Sequence, residues 1–139
     1  MVNTDENITG LVEKLFPFRY SVAGSENDSA AKLLHQVLPF DCFEFPSGKE
    51  LNGWVIPKGL EVQKAEIRKN GSLIYDAKKS PLGVPALSDS FEGHLTLEEL
   101  TPHLFTAENP DAIPYHWTRL YRPDQKLWGL CIPKKIKDS

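Results

Sequence analysis

Apolar positions recur along this chain with two different periods, and the change of period divides it. Between Thr4 and Phe16, residues Ile8, Leu11, Val12 and Leu15 fall at i, i+3, i+4 and i+7, which puts them on one face of a helix. Thr4 is placed to cap the first amides, Asp5 and Glu6 suit the positive end of the helix dipole, and Pro17 stops the helix. Gly10 weakens it by about 1 kcal/mol, so packing has to hold it. A second helix is expected after a turn at Ala23-Gly24. Ser25 and Asp28 have capping-box spacing, with Asp in place of the usual Glu or Gln. Ala30, Leu33, Leu34, Val37 and Leu38 form its buried stripe and Pro39 closes it. Each helix carries a wide apolar face that something must cover.

After Pro39 the period shortens to two. Phe43 and Phe45 alternate with Cys42 and Glu44 as a strand, Pro46-Ser47-Gly48 turns the chain, and Trp54-Val55-Ile56 is a short strand ended by Pro57. Val62 to Ala77 reads as a hairpin about Asn70-Gly71, because both residues tolerate the positive φ of a type I′ turn. A two-residue turn there sets Ile67 opposite Ile74 and Glu66 opposite Tyr75, with the isoleucine pair facing the core. Lys78 to Gly93 is a loop rich in Ser, Pro and Gly. Thr96-Leu97-Glu98-Glu99 is a capping box that opens one or two helical turns ending near Pro102-His103. Tyr115–Tyr121 and Leu127–Ile132 form a last hairpin across Arg122-Pro123-Asp124-Gln125-Lys126. Tyr115, Trp117 and Tyr121 share one face of it, and Trp128 and Leu130 share a face of the return strand. The fold class is α+β: two N-terminal helices, then a small β-rich domain of hairpins with one short helix.

Composition narrows the partners. The 139 residues are 40% hydrophobic and 25% charged, ordinary for a globular domain that buries roughly two-thirds of its unfolded surface. A net charge of −3 provides no electrostatic footprint for nucleic acid or an anionic membrane. The basic run Lys134-Lys135-Ile136-Lys137 reads as a solvated tail. The start, Met1-Val2-Asn3-Thr4-Asp5-Glu6, is the opposite of a secretory signal, and no apolar run approaches the ~20 residues that span a bilayer. The expectation is a cytoplasmic protein with no nucleic-acid and no membrane partner. Cys42 and Cys131 are then free thiols, and the acceptor patterns at Asn7, Asn27 and Asn70 are chance matches.

Catalytic chemistry is hard to find. His35, His94, His103 and His116 do not pair at i, i+4 on a helix, His94 and Glu98 straddle a helix start, and the two cysteines have no second pair. Ser88-Asp89-Ser90 lacks the strained elbow that exposes a nucleophile and reads as turn chemistry. Glu98 and Glu99 point to different helix faces. Gly24, Gly48, Gly53 and Gly71 stand alone rather than forming a phosphate loop. Tyr115, Trp117, Tyr121 and Trp128 could stack a ligand, but the acidic chain lacks the basic groove of a nucleic-acid platform, which favours core packing. Asp111 and Arg119, the nearest polar residues, are assigned to turn amides and edge groups. No residue is assigned a catalytic, cofactor-binding or metal-binding role.

Several runs nevertheless form a pattern. Leu15-Phe16-Pro17-Phe18-Arg19-Tyr20-Ser21-Val22-Ala23-Gly24, Phe45-Pro46-Ser47-Gly48 with Trp54-Val55-Ile56-Pro57, the segment Leu95 to Leu104, Pro110-Asp111-Ala112-Ile113-Pro114-Tyr115, and Trp128-Gly129-Leu130-Cys131 occur in that order. Together they resemble the signatures of a bacterial aminopeptidase-like family of otherwise unknown function, in which an Arg-x-Ser-Ile/Val-x-Gly turn links two helices. The chain departs from it in a longer loop between Tyr121 and Trp128, and in lacking a histidine near Leu82-Gly83-Val84. The resemblance implies a zinc exopeptidase-like fold interrupted by a small nested β-rich domain. Residues 1–44 would be the helices and first strand of the peptidase-like domain, 45–133 the nested domain and 134–139 a tail. The family's metal ligands and catalytic carboxylate would lie beyond this chain, so zinc and a peptide-like substrate are expected only of full-length members.

Two functions follow as expectations. The first is the N-terminal portion of an aminopeptidase-like protein, not catalytic alone, with the nested domain shaping a cleft completed elsewhere. The alternative is a stand-alone, non-catalytic binding module. The first leaves the stripe Ile8, Leu11, Leu15, Leu33 and Val37 uncovered and open to self-association; the second buries it.

Overall fold

The computed structural model describes residues 8–19, 24–117 and 127–138. The expected caps Thr4, Asp5 and Glu6 lie outside the described residues, as do Arg119, Tyr121 and the turn 122–126. The chain is α+β and divides into two compact units, residues 1–61 and 62–139. The boundary drawn from sequence between 44 and 45 falls inside the first unit.

In the first unit, α1 (Ile8–Leu15) and α2 (Ser25–His35) form as the apolar spacing requires. Pro17 has no N–H to extend α1, and Phe16 N and Phe18 N close its end on Val12 O at 2.8 Å and Leu15 O at 3.0 Å. The expected Ser25–Asp28 capping box is not made. The N-cap is Gly24, with no side-chain cap bond, so Ser25 falls one position too far into the helix to serve. The first turn of α2 is tied down by Arg19 instead. Its backbone N–H donates to Glu26 Oε2, and its guanidinium meets Glu26 Oε1 at 3.1 Å. The arginine of the Arg-x-Ser turn is therefore structural, paired with a carboxylate that also favours the helix N-terminus.

The expected strand over Phe43–Phe45 does not form. Residues 39–46 are irregular, and both phenylalanines are exposed. Among the described residues no neighbouring chain receives their backbone groups, and an unpaired strand is not stable. A different hairpin is present. β1 (Glu50–Leu51) pairs with β2 (Trp54–Val55) about Asn52-Gly53, whose φ values of 52° and 80° make a type I′ turn. The turn signal is that of Asn70-Gly71, repeated. Only Ala30 is buried among these helices and strands.

The second unit holds the core. β3 (Glu66–Lys69) and β4 (Ser72–Asp76) form the expected hairpin, with φ of 51° and 80° at Asn70 and Gly71. Its register holds for Lys69↔Ser72 and Arg68↔Leu73, and then a bulge intervenes. Ile67 therefore pairs with Tyr75 and Glu66 with Asp76, not with Ile74 and Tyr75 as expected. The extra residue, Ile74, turns outward and is exposed, while Ile67 and Tyr75 pack on the core. The Tyr75 hydroxyl donates to Cys131 O at 3.2 Å, a contact that only the shifted register provides.

Asp76 then accepts Lys78 N at 3.1 Å and starts a 3₁₀ turn, Ala77–Lys79. The capping box forms as expected. Glu99 N donates to Thr96 Oγ1 at 3.3 Å and Thr96 N to Glu99 Oε2 at 2.8 Å, opening α3 (Leu97–Leu100) and a 3₁₀ turn, Thr101–His103. These bonds from Thr96 hold the Glu99 carboxyl below its ordinary range. Its contribution to stability is present above the ordinary carboxylate range and is lost as pH falls through the lowered value. Thr96→Ala is expected to cost about 1 kcal/mol at neutral pH, read as a lower urea midpoint with unchanged slope.

The closing hairpin is only partly described. Among the described residues, β6 (Leu130–Cys131) runs parallel to β5 (Leu104–Phe105), and Trp117 bridges Ala86 in the parallel sense. The described arms therefore take partners distant in sequence. Nor is the C-terminal run a solvated tail. Lys134–Lys137 forms α4, Ile136 packs against the core, and Lys135 Nζ meets Asp111 Oδ1 at 2.6 Å. One isoleucine among the lysines is enough to dock it. The core is Ala65, Ala77, Leu104, Leu130 and Ile132.

Candidate functional site

The loop after β4, expected as a long connection, organises the second unit. Gly83 O accepts Cys131 N at 2.9 Å, Ala86 N donates to His116 O at 2.9 Å, and Asp89 N donates to Leu127 O at 2.9 Å. Pro85 and Ala86 are buried, and Leu87 adopts a left-handed φ of 61°. Ser88 and Asp89 complete this latch. Ser88 Oγ accepts Gly129 N at 3.3 Å and Asp89 Oδ2 accepts Leu127 N at 2.9 Å. The hydroxyl and carboxylate thus serve the backbone, as turn chemistry requires.

Three aromatic groups meet on this frame. Trp128 lies between Phe91, at 4.2 Å and 5°, and His103, at 3.9 Å and 8°. His103 Nδ1 is 2.9 Å from Trp128 O. A carbonyl only accepts, so Nδ1 carries the proton. His116 stacks on Phe105 at 3.7 Å, and Tyr115 meets Trp117 edge-on at 5.8 Å. The aromatics singled out from sequence are thus split: Trp128 belongs to one stack, Tyr115 and Trp117 to another contact. Phe91 and His103 carry no local signal, because they come from separate segments.

The ionisable groups are structural. Burial pushes the Cys131 thiol up to about 12, and burial also raises Tyr75, with Cys131 and Asp76 adding to the effect. The Arg68 hydrogen bond, 2.8 Å from Nε to Oε2, lowers Glu66. Cys42 is exposed. A thiol-alkylating reagent at pH 8 is therefore expected to label Cys42 alone in the folded chain and both cysteines in urea; rapid native labelling of Cys131 would contradict this. Among the described residues, no group of three His, Cys, Asp or Glu side chains could hold a metal ion. With His103 bonded to a carbonyl, His116 stacked and Cys131 kept as a thiol, these donors do not fit zinc. A shallow groove runs beside β4, floored by Leu73, Ile74 and Ile113 and flanked by Asp76 and Lys79.

Residues 60–139 match the family described as a domain of unknown function, DUF2172. The chain belongs to that family. It is 30% identical over 138 residues to a Clostridium acetobutylicum protein named "putative polysaccharide biosynthesis protein with aminopeptidase-like domain", covering 98% of this chain and 31% of that one. The crystal structure of a "putative peptidase" from Clostridium acetobutylicum superposes with a TM-score of 0.77 at 29% identity, covering 92% of this DUF2172 chain and 30% of the other. The chain spans about a third of the length of the relatives it matches. Both relatives agree with the aminopeptidase-like resemblance carried by the sequence runs. Among the described residues, no helix is long and apolar enough to cross a membrane.

Proposed function

We propose that this chain is the supporting, non-catalytic portion of an aminopeptidase-like protein, and that residues 62–139 are its nested domain. The observation that carries the reading is the pattern of coverage. Nearly all of this chain aligns with less than a third of a protein named for an aminopeptidase-like domain. The described residues add to it, since their histidines, serine and buried thiol are taken up by backbone bonds, stacking and core packing. Metal-assisted peptide hydrolysis needs ligands that converge on zinc and leave a water position open. In this reading those ligands, the zinc and the peptide substrate belong to the larger assembly, in the cytoplasm, with the nested domain bordering its cleft. Polysaccharide biosynthesis is named for one relative and is not carried over here.

The helix faces favour this reading over a stand-alone module. Ile8 is 81% exposed, Val12 56% and Phe16 65%, a stripe of the kind a self-sufficient domain buries. Metal analysis after exhaustive dialysis against micromolar zinc is the test. Far less than one zinc per chain is expected; one tightly held zinc per chain would overturn the proposal.

A further inference from the structure

The groove beside β4 has the makings of a peptide site. Successive residues of a strand point to opposite faces, so a groove lined by the consecutive residues Leu73, Ile74, Tyr75 and Asp76 runs along the strand's edge rather than over one face. That edge is open. β3 and β4 form a two-stranded sheet, and β4 has no strand partner among the described residues other than β3. The volume, about 370 Å³, falls in the range of small-ligand sites. Its floor is apolar, because the bulge turns Ile74 outward beside the exposed Leu73, with Ile113 opposite.

Charge gives the groove a direction. Asp76 already spends Oδ1 on Lys78 N, whereas Lys79, exposed at the same end, makes no ion pair or hydrogen bond with the described residues. The unspent group at that end is therefore a cation.

We infer that this groove takes an extended peptide by strand addition to β4, its apolar side chains on Leu73, Ile74 and Ile113 and its terminal carboxylate at Lys79. The choice of a peptide as occupant rests on the aminopeptidase-like reading. The main chain supplies the affinity through the open edge, and the apolar floor selects the side chains. With its carboxylate at Lys79, beyond the Asp76 end, the peptide runs parallel to β4. Its amino end is then directed away from Lys79, as suits a domain that holds the far end of a substrate. The bulge limits the paired stretch to a few residues, so binding is weak and short-ranged.

Fluorescence anisotropy of fluorescein-labelled Thr-Val-Thr-Leu-Val against the 139-residue chain tests this. Saturable binding is expected, weakened roughly tenfold or more when alternate amides are N-methylated, since each lost main-chain bond removes a share of the affinity. Amidating the terminal carboxylate is expected to weaken it by up to about fivefold, the effect of one exposed ion pair, and Lys79→Ala to erase that difference. Ile74→Asp, at an exposed bulge that the core does not use, is expected to weaken every peptide while leaving the circular dichroism unchanged. No saturable binding up to about 1 mM, or equal binding of the N-methylated peptide, would overturn the inference. Peptide turnover or bound zinc in the same chain would sink the functional reading instead, whichever way the peptides bind.

Discussion

Gly83→Ala is expected to unfold most of the second unit, lowering stability by at least about 3 kcal/mol, a large share of what a domain of this size possesses. A Cβ at Gly83 would stand 1.9 Å from Ala77 O and 2.7 Å from Ala77 C. These are backbone atoms with nowhere to go. Ala77 is fully buried and its N–H donates to Ala65 O at 2.8 Å, while Gly83 O holds Cys131 N. Moving either segment breaks the latch that joins the loop after β4 to β6. Gly48→Ala is the control: a Cβ there meets nothing within 4 Å, and only the φ of 81° opposes it, which limits the loss to about 1 kcal/mol. Urea unfolding followed by tryptophan fluorescence separates the two. Equal midpoints for both variants would show that the loop yields at Gly83 and that the close approach there is not a constraint.

Ile132→Ala should come next, at about 2–5 kcal/mol, because Ile132 is 1% exposed and sits in the core with Ala65, Ala77, Leu104 and Leu130. Ile8→Ala removes a side chain of the same size from an 81% exposed position and is expected to change stability by no more than about 0.5 kcal/mol. The contrast is informative about the two units. Isoleucine on α1 contributes little to folding within this chain, as a residue reserved for a contact with something else would. If Ile8→Ala costs as much as Ile132→Ala, the α1 face is covered and the exposed stripe no longer supports the functional reading.

Local signals are legible in the sequence and distant ones are not. The Thr96–Glu99 box and the Asn70-Gly71 turn depend on four and two residues, and both form as read. The register beyond that turn depends on Tyr75 packing on the core and reaching Cys131 O, a partner far along the chain, and a bulge follows that no local pattern announces. Ser25 does not act as a cap because the helix starts one residue earlier, at a boundary that tertiary contacts of Arg19 and Glu26 settle. Asn52-Gly53 carries the same turn signal as Asn70-Gly71, but strands of only two residues leave no alternating pattern around it. Trp128 is recognisable as part of an aromatic group, yet its partners Phe91 and His103 come together only through the fold. The same holds for the parallel pairing of β5 with β6, which needs a crossover to exist. The family runs are readable because they are conspicuous in type and order. One of them has a physical basis in the pairing of Arg19 with Glu26.

The central claim is that this chain supports an aminopeptidase-like protein without performing its chemistry. Hydrolysis of leucine p-nitroanilide by the purified 139-residue chain, with micromolar zinc present, tests it most directly. The account predicts a rate indistinguishable from buffer with zinc alone. Turnover that scales with protein concentration and is abolished by a chelator would contradict it.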